Sequence, residues 1–422
     1  MFSMAILMGS FLGGEVIVIL MVWGLVFVGL SFSPGIGFVL FGEVSWDMIT
    51  LFLVSLSLCV IMVSMMLSLG VDGESWLIVF LGMIMSSLYM LFVSSSFFVF
   101  YFVYEVVVLL LVVSVVYWGS NPERFVSVVY LVFYMVVFSM PMFFVLMIMV
   151  SLNGVSSFWL GEDVWFGFKV IVCMAMLVKI PVYLLHSWLP KVHVEASTGM
   201  SMVLAGVLLK MGAYGLFRFM CLWGLEVVFV EVVSSVSLVG MMVCPLVCVS
   251  LGDLKEIVAY SSVVHMSLMM VVLVNMGLSF FVGVMSMMMF HGFVSVLMFY
   301  FVGLVYENTG SRSVMVNKGV VSMVGLVGVV LFVVLIMNMG FPLSGNFIAE
   351  IQMVQYLVGL GALGMVVSGI YVFLGCVYNI LVYVYMVVGE GIEDVGVSFM
   401  TVWACVVILW SVEVMVYVLA YL

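Results

Sequence analysis

Six residues could carry proton chemistry in a chain that is otherwise nearly free of charge: Glu105, Lys179, Lys210, His265, His291 and Glu350. Each interrupts an apolar run. Glu105 sits in FFVFYFVYEVVVLLLVV, Lys179 in CMAMLVKIPVYLL, Lys210 in SMVLAGVLLKMGAYGLF, His265 in YSSVVHMSL, His291 in MMMFHGFVS and Glu350 in GFPLSGNFIAE. A charge at the centre of a membrane span costs roughly 2.5–3.5 kcal/mol on insertion scales, so such groups face protein or water rather than lipid. Taken singly, each has a plain reading: a Glu–Lys pair can pin two helices, and an intramembrane histidine can bond a neighbour. Taken as a series on successive spans, they suit stepwise proton transfer. Glu105 needs a buried cation as partner. Lys179 stands two residues before Pro181, whose missing N–H frees carbonyls just upstream and gives a polar break. Lys210 lies among small residues that permit close helix packing.

The elements that hold these groups follow from composition. The chain has 422 residues, 68% hydrophobic and 7% charged, with a mean hydropathy of +1.51. Soluble domains do not have this composition. Apolar runs of about 20 residues recur from end to end, which predicts an all-α polytopic membrane protein; the short alternating strands of a barrel are absent. Spans are expected at 2–31 (interrupted by Glu15, closed by Ser33-Pro34-Gly35), 47–69, 75–96, 97–118, 127–151, 164–186, 197–221, 227–250, 256–275, 278–305, 319–360, 362–388 and 397–420, about 13 transmembrane helices in all. Pro181 and Pro342 should break the helices that contain them. The two breaks fall in corresponding places of two five-helix halves, and paired broken helices point to inverted repeats. The expected organisation is an N-terminal group of helices over 1–74, a first repeat over 75–221, a second over 222–388 and a C-terminal helix over 389–422. No basic leader or cleavage site marks a signal peptide.

Between Lys169 and Arg218 lie Lys169, Lys179, Lys191, Lys210 and Arg218, out of 9 basic residues in the chain, with His186 and His193. Lys191 and Arg218 stand at helix ends, where orientation and packing suffice to explain them. Arg124, Lys191, Lys255, Arg312 and Lys318 fall in loops on one side of the expected spans, opposite Glu162, Asp163, Glu226 and Glu231, with Arg218 the exception on that opposite side, which sets the basic side toward the compartment of synthesis. For a mitochondrial protein this is the matrix. A net charge of -11 with no basic patch excludes nucleic acid as a partner. The 7 cysteines are scattered, Cys244 and Cys248 being the nearest pair, without the spacing of a metal or cluster site. Gln352 and Gln355 are the only glutamines, and Thr50, Thr198, Thr309 and Thr401 the only threonines. Scarcity of residues with A- and C-rich codons suggests a G+T-biased coding strand, as in small organellar genomes.

The segment HSWLPKVHVEASTGMSMVLAGVLLKMGAYGLFR, with YWGSNPERF, DLKEIVAYSSVVHMS, HGFVSVLMFY, SRSVMVNKG and FPLSGNFIAE, resembles the chain 4 family of antiporter-like, proton-pumping membrane subunits of mitochondrial NADH:ubiquinone oxidoreductase, respiratory complex I, and their relatives in multisubunit Na+/H+ antiporters. The matches span roughly 97–350. The resemblance implies a fold of 14 transmembrane helices with two inverted five-helix repeats. It implies a paired Glu105 and Lys179, a central Lys210, the carboxylate Glu350 after the second break, and membrane histidines at His186, His193, His265 and His291. It further implies location in the mitochondrial inner membrane, with other membrane and peripheral subunits of complex I as partners, above all neighbouring antiporter-like subunits, and the lipid bilayer around it. NADH oxidation by ubiquinone would be done elsewhere: NAD, FMN, Fe-S clusters and ubiquinone belong to other subunits, and this chain shows no fingerprint for a cofactor or metal of its own. A subunit of a multisubunit Na+/H+ antiporter is the alternative, and a purely structural membrane scaffold the third reading. Where the family usually has Glu-Ala-Pro, this chain has Glu195-Ala196-Ser197.

Overall fold

The computed structural model describes residues 47–68, 75–119, 121–153, 165–224, 226–275, 281–319, 325–342 and 344–388. The spans expected at 2–31 and 397–420, and the acidic pair Glu162 and Asp163, lie outside the described residues. Among those described the secondary structure is helical, without a strand. In chain order the helices are α1 (Met48–Ser68), α2 (Ser75–Val93), α3 (Phe97–Trp118), α4 (Arg124–Asn153), α5 (Phe166–Lys179), α6 (Trp188–Glu195) and α7 (Thr198–Val203). A π-helical turn (Leu204–Leu208) follows, then α8 (Leu209–Trp223), α9 (Val227–Ser250), α10 (Leu254–Val274), α11 (Phe281–Thr309), α12 (Gly325–Asn338), α13 (Gly345–Gly359) and α14 (Ala362–Val387). Eight helical spans among the described residues are long and apolar enough to cross a membrane. The expected spans 97–118 and 227–250 coincide with α3 and α9.

Local chemistry sets the helix ends. Asp253 begins α10 by accepting a hydrogen bond from the Lys255 N–H, and Glu256 in the first turn complements the helix dipole. Ser344 begins α13 by accepting from the Phe347 N–H, and Ser96 begins α3 by accepting from the Val99 N–H. Proline alone does not decide where a helix stops. Pro141 and Pro245 lie inside α4 and α9, which continue through them. By contrast, Pro181 lies in the interval between α5 and α6, and Pro342 in that between α12 and α13. Each of these intervals also holds a left-handed residue, Leu184 at φ 79° and Gly340 at φ 65°. A left-handed residue reverses the winding a helix requires, at a cost of roughly 1–2 kcal/mol for a residue with a Cβ.

The chain divides into two compact units. One comprises Met1–Ile180 with Glu195–Leu225; the other comprises Pro181–Val194 with Glu226–Leu422. In the first, α3 packs on α2, α4 and α7, and α5 packs on α4 and α8. The α7–π–α8 span is 94% buried. In the second, α10 and α11 form the core, each span 94% buried, while α9 and α14 are 39% and 33% buried and present one face outward. Serine is the common polar residue of the spans. Its hydroxyl is satisfied within its own helix by donating to the carbonyl three residues back, as Ser57 does to Val54 (2.8 Å), Ser114 to Leu111 (2.7 Å), Ser262 to Ala259 (2.6 Å) and Ser267 to Val264 (2.7 Å).

Candidate functional site: buried charges and a tyrosine-bridged histidine

In the first unit, Glu105 lies at mid-length of α3 and Lys179 is the last residue of α5. The lysine is only 3% exposed. Its Nζ stands 2.8 Å from the centroid of the Tyr104 ring, the residue preceding Glu105. Tyr104 is itself tied to α5, its hydroxyl donating to the Ala175 carbonyl at 3.2 Å. Lys179 Nζ and Glu105 Oε1 are both buried without a hydrogen-bond partner, and Glu105 is the charged group that acts on the lysine electrostatically. The two therefore stand as electrostatic neighbours, with the ammonium seated on an aromatic face. The backbone below the lysine is fixed by Gly212 of α8. A Cβ there would lie 3.0 Å from Lys179 Cβ and 3.1 Å from the Met176 carbonyl oxygen, tighter than ordinary contact, so glycine suits this close approach of α8 to α5.

Lys210 has no exposed surface. It is the second residue of α8, and its Nζ donates to the Ala205 carbonyl at 2.7 Å. Ala205 belongs to the π-helical turn that interrupts the span just before the lysine. A wider turn of this kind recurs at functional positions of helices. Among the described residues no hydrogen bond or ion pair joins Lys210 to Lys179 or Glu105.

In the second unit the structure brings His265 of α10, His291 of α11 and Glu350 of α13 together, and adds Tyr371 of α14. Tyr371 Oη donates to Glu350 Oε1 at 2.9 Å and lies 2.8 Å from His265 Nδ1. His265 Nδ1 is also 3.2 Å from Glu350 Oε1. A tyrosine has one proton; with that proton given to Glu350, its oxygen must accept from His265 Nδ1–H. In a neutral imidazole this leaves Nε2 as the bare nitrogen; Nε2 is buried without a hydrogen-bond partner. The His291 ring lies beside that of His265, centroids 5.1 Å apart. Glu350 is held from the other side by backbone: Gly340, in the interval before α13, approaches its carboxylate so closely that a Cβ on Gly340 would collide with it. The interval is braced by Asn338 Nδ2 donating to Asn379 Oδ1 (3.0 Å) and Asn346 Nδ2 donating to the Met337 carbonyl (3.0 Å).

The remaining marked residues serve packing and helix ends. Lys169 Nζ donates to the Trp223 carbonyl at the end of α8 (2.7 Å), where a cation complements the helix terminus. Arg218 pairs with Asp47 and donates from Nε to the Tyr214 hydroxyl at 3.1 Å. Lys191 is exposed. His186 stacks on Tyr183 and meets the edge of Tyr260, and His193 stacks on Phe299 with centroids 4.5 Å apart. In the first unit Asn121 Nδ2 donates to Glu195 Oε1 (3.4 Å). In the second, Arg312 donates to the Val194 carbonyl (2.6 Å) and faces Asp253 (3.6 Å). Cys173, Cys244 and Cys248 are buried free thiols. Sequence reasoning did not single out Tyr104, Tyr371 or Gly340. Only Gly340 carried a signal, as the glycine preceding Phe341-Pro342.

The family described as NADH:quinone oxidoreductase/Mrp antiporter, TM, matches residues 94–375, which include all six titratable residues and both tyrosines. NADH-ubiquinone oxidoreductase chain 4 of Locusta migratoria is 36% identical over 305 residues, covering 71% of this chain and 68% of the relative. That of Apis mellifera ligustica is 32% identical over 314 residues, covering 73% and 70%. Among solved structures, a chain of respiratory complex I from Thermus thermophilus with bound NADH superposes with a TM-score of 0.83 at 16% identity, over 98% of this chain and 95% of that one. A chain of the membrane-bound sulfane sulfur reductase, an archaeal respiratory membrane complex, gives 0.84 at 13% identity, over 100% and 93%. These two likenesses speak for the fold. On the family match and the two relatives, this chain belongs to the NADH:quinone oxidoreductase/Mrp antiporter transmembrane family, among the NADH-ubiquinone oxidoreductase chain 4 proteins.

Proposed function

We propose that this chain is a proton-translocating core membrane subunit of respiratory complex I in the inner mitochondrial membrane. It would couple NADH oxidation by ubiquinone, carried out in other subunits, to proton transfer across the membrane. It counts as an enzyme subunit of an H+-translocating NADH:ubiquinone reductase while holding no redox centre. Its partners are the other membrane and peripheral subunits, neighbouring antiporter-like subunits above all, and lipid. The observation that supports this reading is the burial of Lys179, Lys210, His265, His291 and Glu350 inside apolar helices, at 3%, 0%, 3%, 1% and 7% exposure. Groups this costly to bury serve ion pathways when they recur along a membrane chain.

The roles follow from the chemistry of each group. Glu105 modulates Lys179 by its charge. Lys179 and Lys210 hold and pass the proton. His265 and His291 relay it to Glu350, and Tyr371 is the hydroxyl through which His265 reaches that carboxylate. A proton arriving at Nε2 of His265 allows Nδ1–H to move to Tyr371 as the tyrosine proton moves to Glu350; the tyrosine ends neutral and the carboxylate protonated. Opposite charges ~4 Å apart at an effective dielectric of about 20 interact by about 4 kcal/mol. Moving one proton across about 150–200 mV takes about 3.5–4.6 kcal/mol. Closing and opening one pair is thus of the right size to drive one transfer. In this reading the intervals at Pro181 and Pro342 are broken transmembrane helices of two inverted five-helix repeats, spanning 75–221 and 222–388.

Replacing Lys179 by Met in the assembled complex should abolish pumping through this chain with the fold intact. Full proton-to-electron stoichiometry in that variant would remove the assignment. The family description also covers Mrp antiporters, so a subunit of a multisubunit Na+/H+ antiporter is the second reading. Mild-detergent purification separates the two: flavin and iron in the purified assembly support the first, Na+ transport without them the second.

A further inference from the structure

The seat of Lys179 carries information that its pairing with Glu105 does not. The ammonium lies on the Tyr104 face at 2.8 Å from the ring centroid, and Glu105 Oε1 is left without a hydrogen-bond partner. Tyr104 and Glu105 are consecutive on α3, so their side chains leave the helix about 100° apart. Gly212 pins the backbone and Cβ of Lys179, which confines any movement to the four-carbon arm. The Tyr104 ring is 1% exposed and anchored by its hydroxyl to the Ala175 carbonyl, so it presents a fixed face to that arm. We infer that Tyr104 is a positioning residue of the proton site: its ring is the seat of the Lys179 ammonium whenever the contact with Glu105 is open, so that two neighbouring residues of one helix compete for one cation. This rests on the proposed pumping role of Lys179.

The ring face attracts a cation because its quadrupole places negative charge there, and the attraction grows when water is excluded. An open pair without such a seat would leave a desolvated ammonium with no compensation, and the arm would stay on Glu105. The aromatic face makes the open position a second minimum. Its loss should shift the ratio of the two positions by about ten- to thirty-fold. Lys179 then alternates between a carboxylate and a π face, and its readiness to part with a proton alternates with it.

The test compares Tyr104→Phe, which keeps the ring and drops the hydroxyl, with Tyr104→Leu and Tyr104→Met, which drop the ring. All are read in the intact respiratory complex in sealed vesicles, beside Lys179→Met as reference. Protons moved per electron are measured across a pH series, with the amount of assembled complex measured in parallel. The expected result is that Phe keeps most of the pumping and the parental pH profile, because the ring face remains while only its anchor is lost. Leu and Met should lose pumping by about ten-fold per assembled complex and displace the profile. Adding Glu105→Gln to Tyr104→Leu should give no further loss, since both changes stop the same alternation. Equal pumping in Phe and Leu overturns the inference, as does a Phe variant that fails as Leu does, which would assign the role to the hydroxyl anchor. Failure of both Leu and Met to assemble while Phe assembles also overturns it, making the ring a packing element. Full stoichiometry in Lys179→Met instead removes the pumping role itself, whatever the Tyr104 variants do.

Discussion

In the first unit each buried lysine is held sparsely: Lys179 by a ring face with the charge of Glu105 nearby, Lys210 by a backbone carbonyl. In the second unit the buried groups are shared. Glu350 takes a hydrogen bond from Tyr371, lies 3.2 Å from His265, and is crowded by the backbone of Gly340. Sparse and shared arrangements do different work. A cation with one weak neighbour can change position or protonation when a nearby charge moves, because little holds it. A hydrogen-bonded chain of carboxylate, hydroxyl and imidazole hands a proton along without rearranging. The first unit therefore holds its buried cations loosely, while the second ties its buried groups into one hydrogen-bonded cluster.

Charge-conserving replacement probes the difference most sharply. Lys179→Arg and Lys210→Arg keep a positive charge but cannot release a proton. Each should lower pumping on the order of 100-fold, as loss of a proton-transfer group does; retained pumping would reduce the lysines to fixed charges. Next in size is Glu350→Gln, which keeps the shape and removes the proton acceptor. Pumping should fall about ten- to 100-fold, and an unchanged rate would end the case for Glu350 as the terminal carboxylate. Gly340→Ala places a methyl group against that carboxylate in a left-handed conformation costing roughly 1–2 kcal/mol; an approximately ten-fold loss is expected. Tyr371→Phe should cost least at the site, about five-fold, because the direct His265–Glu350 approach survives and one hydrogen bond is worth about 1 kcal/mol. A Tyr371→Phe variant as damaging as Glu350→Gln would show that the hydroxyl is the sole route.

The smallest expected effect concerns stability alone. Ser197 opens α7 at φ -59°, the value a proline ring imposes, and its hydroxyl makes no capping bond. Ser197→Pro should stabilise the chain by about 0.4–1 kcal/mol through the unfolded state, seen as a higher melting temperature in detergent with pumping unchanged.

The spans and the charged residues were legible because hydrocarbon is an unforgiving solvent. α3 and α9 lie where the apolar runs lie, and Lys179, Lys210 and Glu350 stand out because charges are expensive there. Tyr104 and Tyr371 were not legible. With 18 tyrosines in the chain, type and spacing do not distinguish a tyrosine that seats a cation from one that faces lipid; only the partner brought by another helix does. The π-helical turn before Lys210 left no mark either. Its residues LAGVL are compatible with an ordinary α-helix, and one extra residue in a turn does not alter an apolar pattern that is apolar on every side. Pro181 and Pro342 lie in intervals between helices while Pro141 and Pro245 lie inside helices; the backbone feature the two intervals share, a left-handed residue, has no signature in the sequence at Leu184.

The serine hydroxyls that close on their own helices bear on how such a chain evolves. A hydroxyl satisfied by the carbonyl three residues back asks nothing of its neighbours, so serine can enter or leave a span without a matching change on the facing helix. A gene under nucleotide bias can drift through serine, valine, glycine and phenylalanine across most of its length at small cost to assembly. Side-chain contacts between helices, such as Asn338 with Asn379 and Tyr371 with Glu350, demand two compatible residues at once. Those contacts are where drift should stall, and one of them holds the buried carboxylate of Glu350.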